Sequence, residues 1–265
     1  MATGDDYETI DWRYRDRVLY LSLNRPETLN SVDARLHAEL ARVFVDAQAD
    51  ELSDVIVLTG SGRAFCAGGN MDWMQDAIDN PENFELTVRE AKQIIFSMLD
   101  CEKPIIAKVN GAAVGLGCTL ALFCDVIFAA DDVVISDPHV GVGMVAGDGG
   151  AVIWPQLVGY ARAKEFLMTG DPLTPREAER IGLINHAVPR EELDGAVDAF
   201  ADRLAHSAQK AVRWSKVSVN IGLKQLAHSI MDACLAYEAL TNVTEDHQEA
   251  VHAFQEKRKP LFKGR

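Results

Sequence analysis

Residues 104–125 read PIIAKVNGAAVGLGCTLALFCD, and this stretch decides the fold class. Ile105 to Val109 is a short apolar run of the kind that forms a strand buried on both faces. Asn110-Gly111 predicts a turn, Gly115-Leu116-Gly117 a second one, and Leu116 to Phe123 a short apolar helix. The uncharged run from Val109 to Cys124 has 16 residues and is broken by glycines. A bilayer span needs about 20 apolar residues, so this is core rather than membrane anchor. Upstream, residues 7–23 alternate in character around Arg15–Asp16 and predict a two-stranded hairpin. Asn30-Ser-Val-Asp33 opens a helix with Leu36, Leu40, Val43 and Ala47 on one face. Residues 54–61, DVIVLTGS, repeat the buried-strand pattern; the loop SGRAFCAGGN (61–70) follows, and then a helix with Val88, Ala91, Ile95 and Met98 inward. Downstream, residues 125–130 and 133–136 read as further strands. Repeated strand–loop–helix units imply an α/β core with crossover connections. From about residue 149 the pattern is mostly helical, with Leu193, Val197, Phe200 and Leu204 marking one helix and two or three more expected within 207–258. We therefore divide the chain into a core, residues 1–200, and a C-terminal helical region, residues 201–265.

The 265 residues are enough for a full core without disulfides or a structural metal. Apolar residues at 48% and charged residues at 25% are ordinary for a globular domain and speak against disorder. The net charge of −14 repels phosphate backbones, which argues against a nucleic-acid partner. The chain end runs the other way: Lys257, Arg258, Lys259, Lys263 and Arg265 stand against Glu256 alone, either a solvated basic terminus or an anion-binding patch. The five cysteines form no CxxC or Cys/His cluster, which predicts reduced thiols, no zinc site and a cytoplasmic setting. The acidic N-terminus lacks the apolar segment of a signal peptide.

Two glycine turns, Ala67-Gly68-Gly69-Asn70 and Gly115-Leu116-Gly117, each follow a strand. They serve as tight turns between packed elements, or else they bring two free backbone N–H groups onto one carbonyl oxygen. Neither is a dinucleotide or P-loop fingerprint. A third feature joins Asp137-Pro138-His139 to Asp148 through a glycine-rich loop. Such a loop lets Asp148 fold back to orient the His139 ring and stabilise its imidazolium, with His139 as general base. The remaining histidines, including His37 and His247, are expected to be structural or superficial, and of the cysteines only Cys66 borders a candidate loop.

Asn24-Arg25-Pro26 with Leu29-Asn30-Ser31, the segment 62–70, the segment 109–118 and Cys124-Asp125 together resemble the enoyl-CoA hydratase/isomerase (crotonase) superfamily. Thr169-Gly170, residues 178–185 and residues 253–259 continue the likeness, which runs from about residue 8 to 263. The resemblance implies a spiral of ββα units with a C-terminal helical oligomerisation region, in a homotrimer or a dimer of trimers. It implies an oxyanion hole from the N–H groups of Gly69 and Leu116, and contacts to coenzyme A from Arg25, Leu29, Ala67, Phe254 and Lys257. It implies no cofactor beyond the CoA of the substrate, and no metal. The departures are specific. Family hydratases carry two catalytic glutamates, and here Thr119 and His139 occupy those positions; a threonine hydroxyl has no useful acidity near neutral pH. Where relatives often carry CoA-pairing lysines this chain has Glu27 and Asp72. Pro138-His139, Gly147-Asp148-Gly149 and Trp154-Pro155 are similar to the branch that cleaves cyclic β-diketones, the 6-oxocamphor hydrolase type. The sequence thus points to an enoyl-CoA hydratase-like lyase with His139 and Asp148 as its acid–base pair. A CoA-independent C–C hydrolase and a non-catalytic acyl-CoA-binding protein are the alternatives.

Overall fold

The structure is a computed structural model that describes residues 4–265. Strands β1 (Ile10–Arg15) and β2 (Val18–Leu23) form the expected antiparallel hairpin, turning at Asp16 with φ 53°. Helix α1 (Ala34–Ala49) starts where Asp33 accepts the amide of Leu36, and Leu36, Leu40, Val43 and Ala47 are all buried. Next come β3 (Val55–Gly60), β4 (Ala64–Cys66), α2 (Met71–Asp79) and α3 (Phe84–Asp100). The deciding stretch contributes β5 (Ile105–Val109), β6 (Ala112–Val114) and α4 (Leu116–Leu122). After it run β7 (Val126–Ala130), β8 (Ile135–Ser136), α5 (Gly150–Thr169), α6 (Pro175–Ile181) and β9 (His186–Val188). The chain closes with α7 (Leu193–Ala205), α8 (Gln209–Asn242) and α9 (Glu245–Gln255).

The strands sort into two sheets, β1-β2-β3-β5-β7-β9 and β4-β6-β8. From β3 to β8 each turn of the spiral places one strand in the large sheet and the next in the small one, then leaves through a helix. Apart from the hairpin every pairing in the two sheets is parallel. This explains the apolar reading of β3, whose six residues are all buried: it lies between β2 and β5 and is covered on both faces. The three-residue strands β4 and β6, and β9 beyond residue 149, are too short to leave a periodic signal, and the sequence pattern does not predict them. The line drawn at 200/201 falls inside α7, whose Val197 and Ala201 are buried in one core, so the two regions meet within a continuous helix.

Asn30 ties the first loop to the sheet corners. It is fully buried with φ 56°; its Oδ1 accepts from the Arg25 amide, and its Nδ2 donates to the carbonyls of Ser61 and Ala64. A buried amide satisfied at both ends fixes the entry to α1 against β4, next to the first glycine turn.

Candidate active site

Both glycine turns sit where strands of the small sheet hand over to helices, and they abut. A Cβ on Gly68 would lie 3.0 Å from the Val114 carbonyl oxygen, and one on Gly115 would lie 3.7 Å from Gly68 Cα. Gly68 has φ +85° and Gly115 φ +55°, conformations that side chains rarely adopt. Asn70 then caps α2 by accepting from the amides of Asp72 and Trp73. Gly69 and Leu116 consequently line the wall of one cavity, and the amide of neither has an acceptor among the described residues.

His139 faces the same cavity and is 9% exposed. Its Cε1 is 3.7 Å from the point a Cβ on Gly115 would occupy, so the imidazole stands beside the two amides. The ring is not oriented as the sequence suggested. Its Nδ1 is held by Asp137 Oδ1 at 2.5 Å, while Asp148 Oδ2 lies 3.5 Å from Nε2, too long for a good hydrogen bond. The reason is local: Pro138 and the short turn at 139–142 bring residue 137 back under the ring, and Gly150 leaves room for the Asp137 carboxylate, whose Oδ2 would be 2.3 Å from a Cβ there. Asp148 approaches from the start of α5 on the other side of the ring, accepting from the Thr119 hydroxyl at 3.2 Å and the Gly150 amide at 3.4 Å. His247 on α9 fastens the loop by an Nδ1 contact of 2.6 Å to the Val142 carbonyl oxygen.

A third acid arrives from α8. Glu238 is 7% exposed, lines the cavity, and leaves Oε2 without a hydrogen-bond partner among the described residues. Nothing around it in the sequence distinguished it, because it lies 90 residues beyond Asp148 in a helix whose surface is otherwise ordinary. Burial pulls the His139 pKa down, but Asp137 and Asp148 outweigh it and push the ring up to about 10. Burial, then the charges of Asp148 and Asp137, push Glu238 up to about 8. Burial also raises Asp148, and the His139 cation pulls it back. At neutral pH the ring is an imidazolium and Glu238 a neutral acid. A cationic ring has no free lone pair, so the expectation of His139 as the resting general base gives way to His139 as a proton donor.

The remaining candidates fall into two groups. Arg25, Leu29 and Ala67 lie together, since the Ala67 amide donates to the Leu29 carbonyl oxygen, but the Arg25 guanidinium is paired with Asp33. Phe254 is 62% exposed near the end of α9, with Lys257 just beyond the helix at φ 56°. Two of the five cations of the basic end are paired within the chain. Arg258 pairs with Glu249 and Glu256, Arg265 with Glu245, and the amides of Lys263 and Gly264 donate to Asp246. Glu27 and Asp72 are exposed. Cys66 is fully buried, which pushes its thiol up to about 12 and leaves it no nucleophile at neutral pH.

The sequence model of the enoyl-CoA hydratase/isomerase family matches residues 13–265. The chain belongs to the enoyl-CoA hydratase/isomerase family. It is 35% identical to a crotonyl-CoA hydratase of Syntrophomonas wolfei, over 97% of this chain and 98% of that one. It is 32% identical to the 2,3-dehydroadipyl-CoA hydratase of Escherichia coli, over 95% and 97% of the two chains. Among solved structures, an enoyl-CoA hydratase/isomerase from Mycobacterium paratuberculosis superposes with a TM-score of 0.90 at 35% identity, covering 93% of this chain and 99% of that one. Membership accounts for the two-sheet spiral and for the abutting glycine turns. It leaves open which groups move protons in a family member without the glutamate pair. Among the described residues no helix is long and apolar enough to cross a membrane.

Proposed function

We propose that the protein is an enoyl-CoA hydratase-like lyase that adds water across the double bond of a 2,3-unsaturated acyl-CoA. What carries the reading is the shared cavity in which the unpaired amides of Gly69 and Leu116 stand beside the His139 imidazole. Those amides receive the thioester oxygen as it gains charge; one such donor is worth about 3–4 kcal/mol. The Asp148 carboxylate, which the neighbouring imidazolium favours against the upward push of burial, takes a proton from water while the water oxygen bonds to the β-carbon. The electron pair moves onto the thioester oxygen as an enolate. The enolate then takes a proton at the α-carbon from Nε2 of His139. Transfer of the proton on Asp148 to His139, once their 3.5 Å separation closes to hydrogen-bond distance, resets the site with one water consumed. Asp137 holds the ring by Nδ1 throughout. The chemistry needs no group beyond these residues and the CoA of the substrate; Arg25, Leu29, Ala67, Phe254 and Lys257 are the proposed CoA contacts.

The test is hydration of crotonyl-CoA, followed by loss of the enoyl absorbance across the pH range. We expect turnover that falls as pH rises through about 8, because ionised Glu238 adds a third negative charge and makes His139 a poorer acid. Glu238→Gln should abolish that inflection and leave only the one near 10 from His139 itself. Absence of turnover with enoyl thioesters of any chain length would overturn the reading.

One observation favours a second reading. Arg25, Arg258 and Arg265 are paired with internal carboxylates and Glu27 and Asp72 are exposed, so pairing with CoA phosphates falls to the chain-end lysines Lys257, Lys259 and Lys263. The same site could then hydrolyse a β-diketone without CoA: water adds to one carbonyl, the C–C bond breaks towards the other, and His139 protonates the carbanion. Turnover of cyclohexane-1,3-diones alone, and of no thioester, selects it. For the assembly we propose a homotrimer or a dimer of trimers. Val219, Tyr237 and Leu240 on α8 are each more than half exposed and fall on one side of the helix, apolar surface that further copies would cover. Sedimentation should then give three or six times 29.1 kDa, and a monomer mass would refute it.

A further inference from the structure

The cavity has a second polar wall that the hydration chemistry leaves unused. His37 on α1 is 1% exposed and lines the cavity. Its Nδ1 meets Glu90 Oε2 on α3 at 2.7 Å, and its ring lies 5.1 Å from that of Trp73. Thr87, one turn before Glu90 on α3, lines the same cavity and has no hydrogen-bond partner among the described residues. The surroundings on this side, Trp73, Met74, Phe84 and Ala91, are apolar. Neither Nε2 of His37 nor the hydroxyl of half-buried Thr87 has a hydrogen-bond partner among the described residues, so both are open to a polar group entering the cavity.

We propose that the His37–Glu90 pair and Thr87 form a specificity pocket for a hydroxyl group on the acyl chain, beyond the reacting thioester. This deepens the hydratase reading and rests on it. With the carboxylate accepting from Nδ1–H, the Nε2 lone pair is turned towards the cavity and takes a hydrogen bond from the substrate hydroxyl. The Thr87 hydroxyl can donate to the same substrate oxygen, so both its donor and its acceptor capacity are used. A purely alkyl chain would strip water from His37 and Thr87 and give nothing in return, which is how polar pockets reject apolar analogues.

Saturated thioesters test this without turnover. Equilibrium binding of 6-hydroxyhexanoyl-CoA and hexanoyl-CoA should differ about 10- to 100-fold in favour of the hydroxylated ligand. His37→Leu should remove most of that ratio, Thr87→Val part of it, and His37→Gln, which keeps a polar group there, should retain more of it than Leu. Circular dichroism and thermal melting establish that the variants fold, and Thr87→Val keeps the test available if His37→Leu does not. Equal binding of both ligands by the wild type, or a ratio untouched in folded His37→Leu and Thr87→Val, overturns the inference and leaves the hydratase reading intact. Failure of both thioesters to bind overturns the acyl-CoA reading and the inference together.

Discussion

Replacing His139 with alanine should lower kcat/KM for crotonyl-CoA by about 10³-fold, within the 10²–10⁴-fold range of a positioned acid–base group. The alanine variant keeps the amides of Gly69 and Leu116, so residual turnover should remain above the uncatalysed rate. It loses the proton donor, and it loses the cation that opposes the upward push of burial on the Asp148 carboxyl. His139→Gln separates these losses from simple misfolding, because it fills the space without carrying a proton for transfer. Stability supplies an independent check. The folded-state pKa of His139 stands above its ordinary value of 6.5, at about 10. Its contribution is therefore fully present below pH 6.5 and is lost as pH rises through 10. The wild-type melting temperature should fall across that window, and the alanine variant should lack that component. Wild-type rates in His139→Ala would end the mechanism proposed here.

Gly117→Ala should cost at least about 100-fold in activity, the scale on which a misplacement of about 1 Å is felt at a reacting centre. Gly117 lies in the first turn of α4, and a Cβ there would sit 2.4 Å from the Cys66 carbonyl oxygen and 2.6 Å from Cys66 Cβ. The closest of these is backbone of β4, so no rotamer change relieves it. The helix must move away from the strand, and with it the Leu116 amide must part from Gly69. Overpacking of this kind costs about 1–3 kcal/mol, which a chain with this much core can survive. We therefore expect a folded protein, seen by denaturant titration, whose kcat falls more than its affinity for saturated acyl-CoA. Normal kcat would show that the two amides need not be held together.

The long elements and the turns were legible because each carries a local signal. The α1 face, the β3 run and the glycines of 68–69 and 115–117 are written in consecutive residues, and the ordered series of motifs points to the family. The acid–base set was only partly legible. His139 and Asp148 stood out beside glycines, but ring orientation depends on how Pro138 bends the chain, and that bend put Asp137 where Asp148 was expected. Glu238 and His37 had no local mark at all. Each is one polar residue on an otherwise normal helix, and its meaning comes from residues far along the chain, Glu90 at 53 positions from His37 and Asp148 at 90 from Glu238. The basic terminus was legible as charge, yet the pairing of Arg258 with Glu249 and of Arg265 with Glu245 required the tail to double back on α9.

The amides that polarise a carbonyl belong to the sheet edge, whereas Glu238 is delivered by α8, which lies outside the sheets. Such a division makes the scaffold adaptable. A substitution at one helical position can reset the acidity of the cavity while the rigid frame keeps its register, so new reactions on activated carbonyl compounds lie a few mutations away without rebuilding the interior.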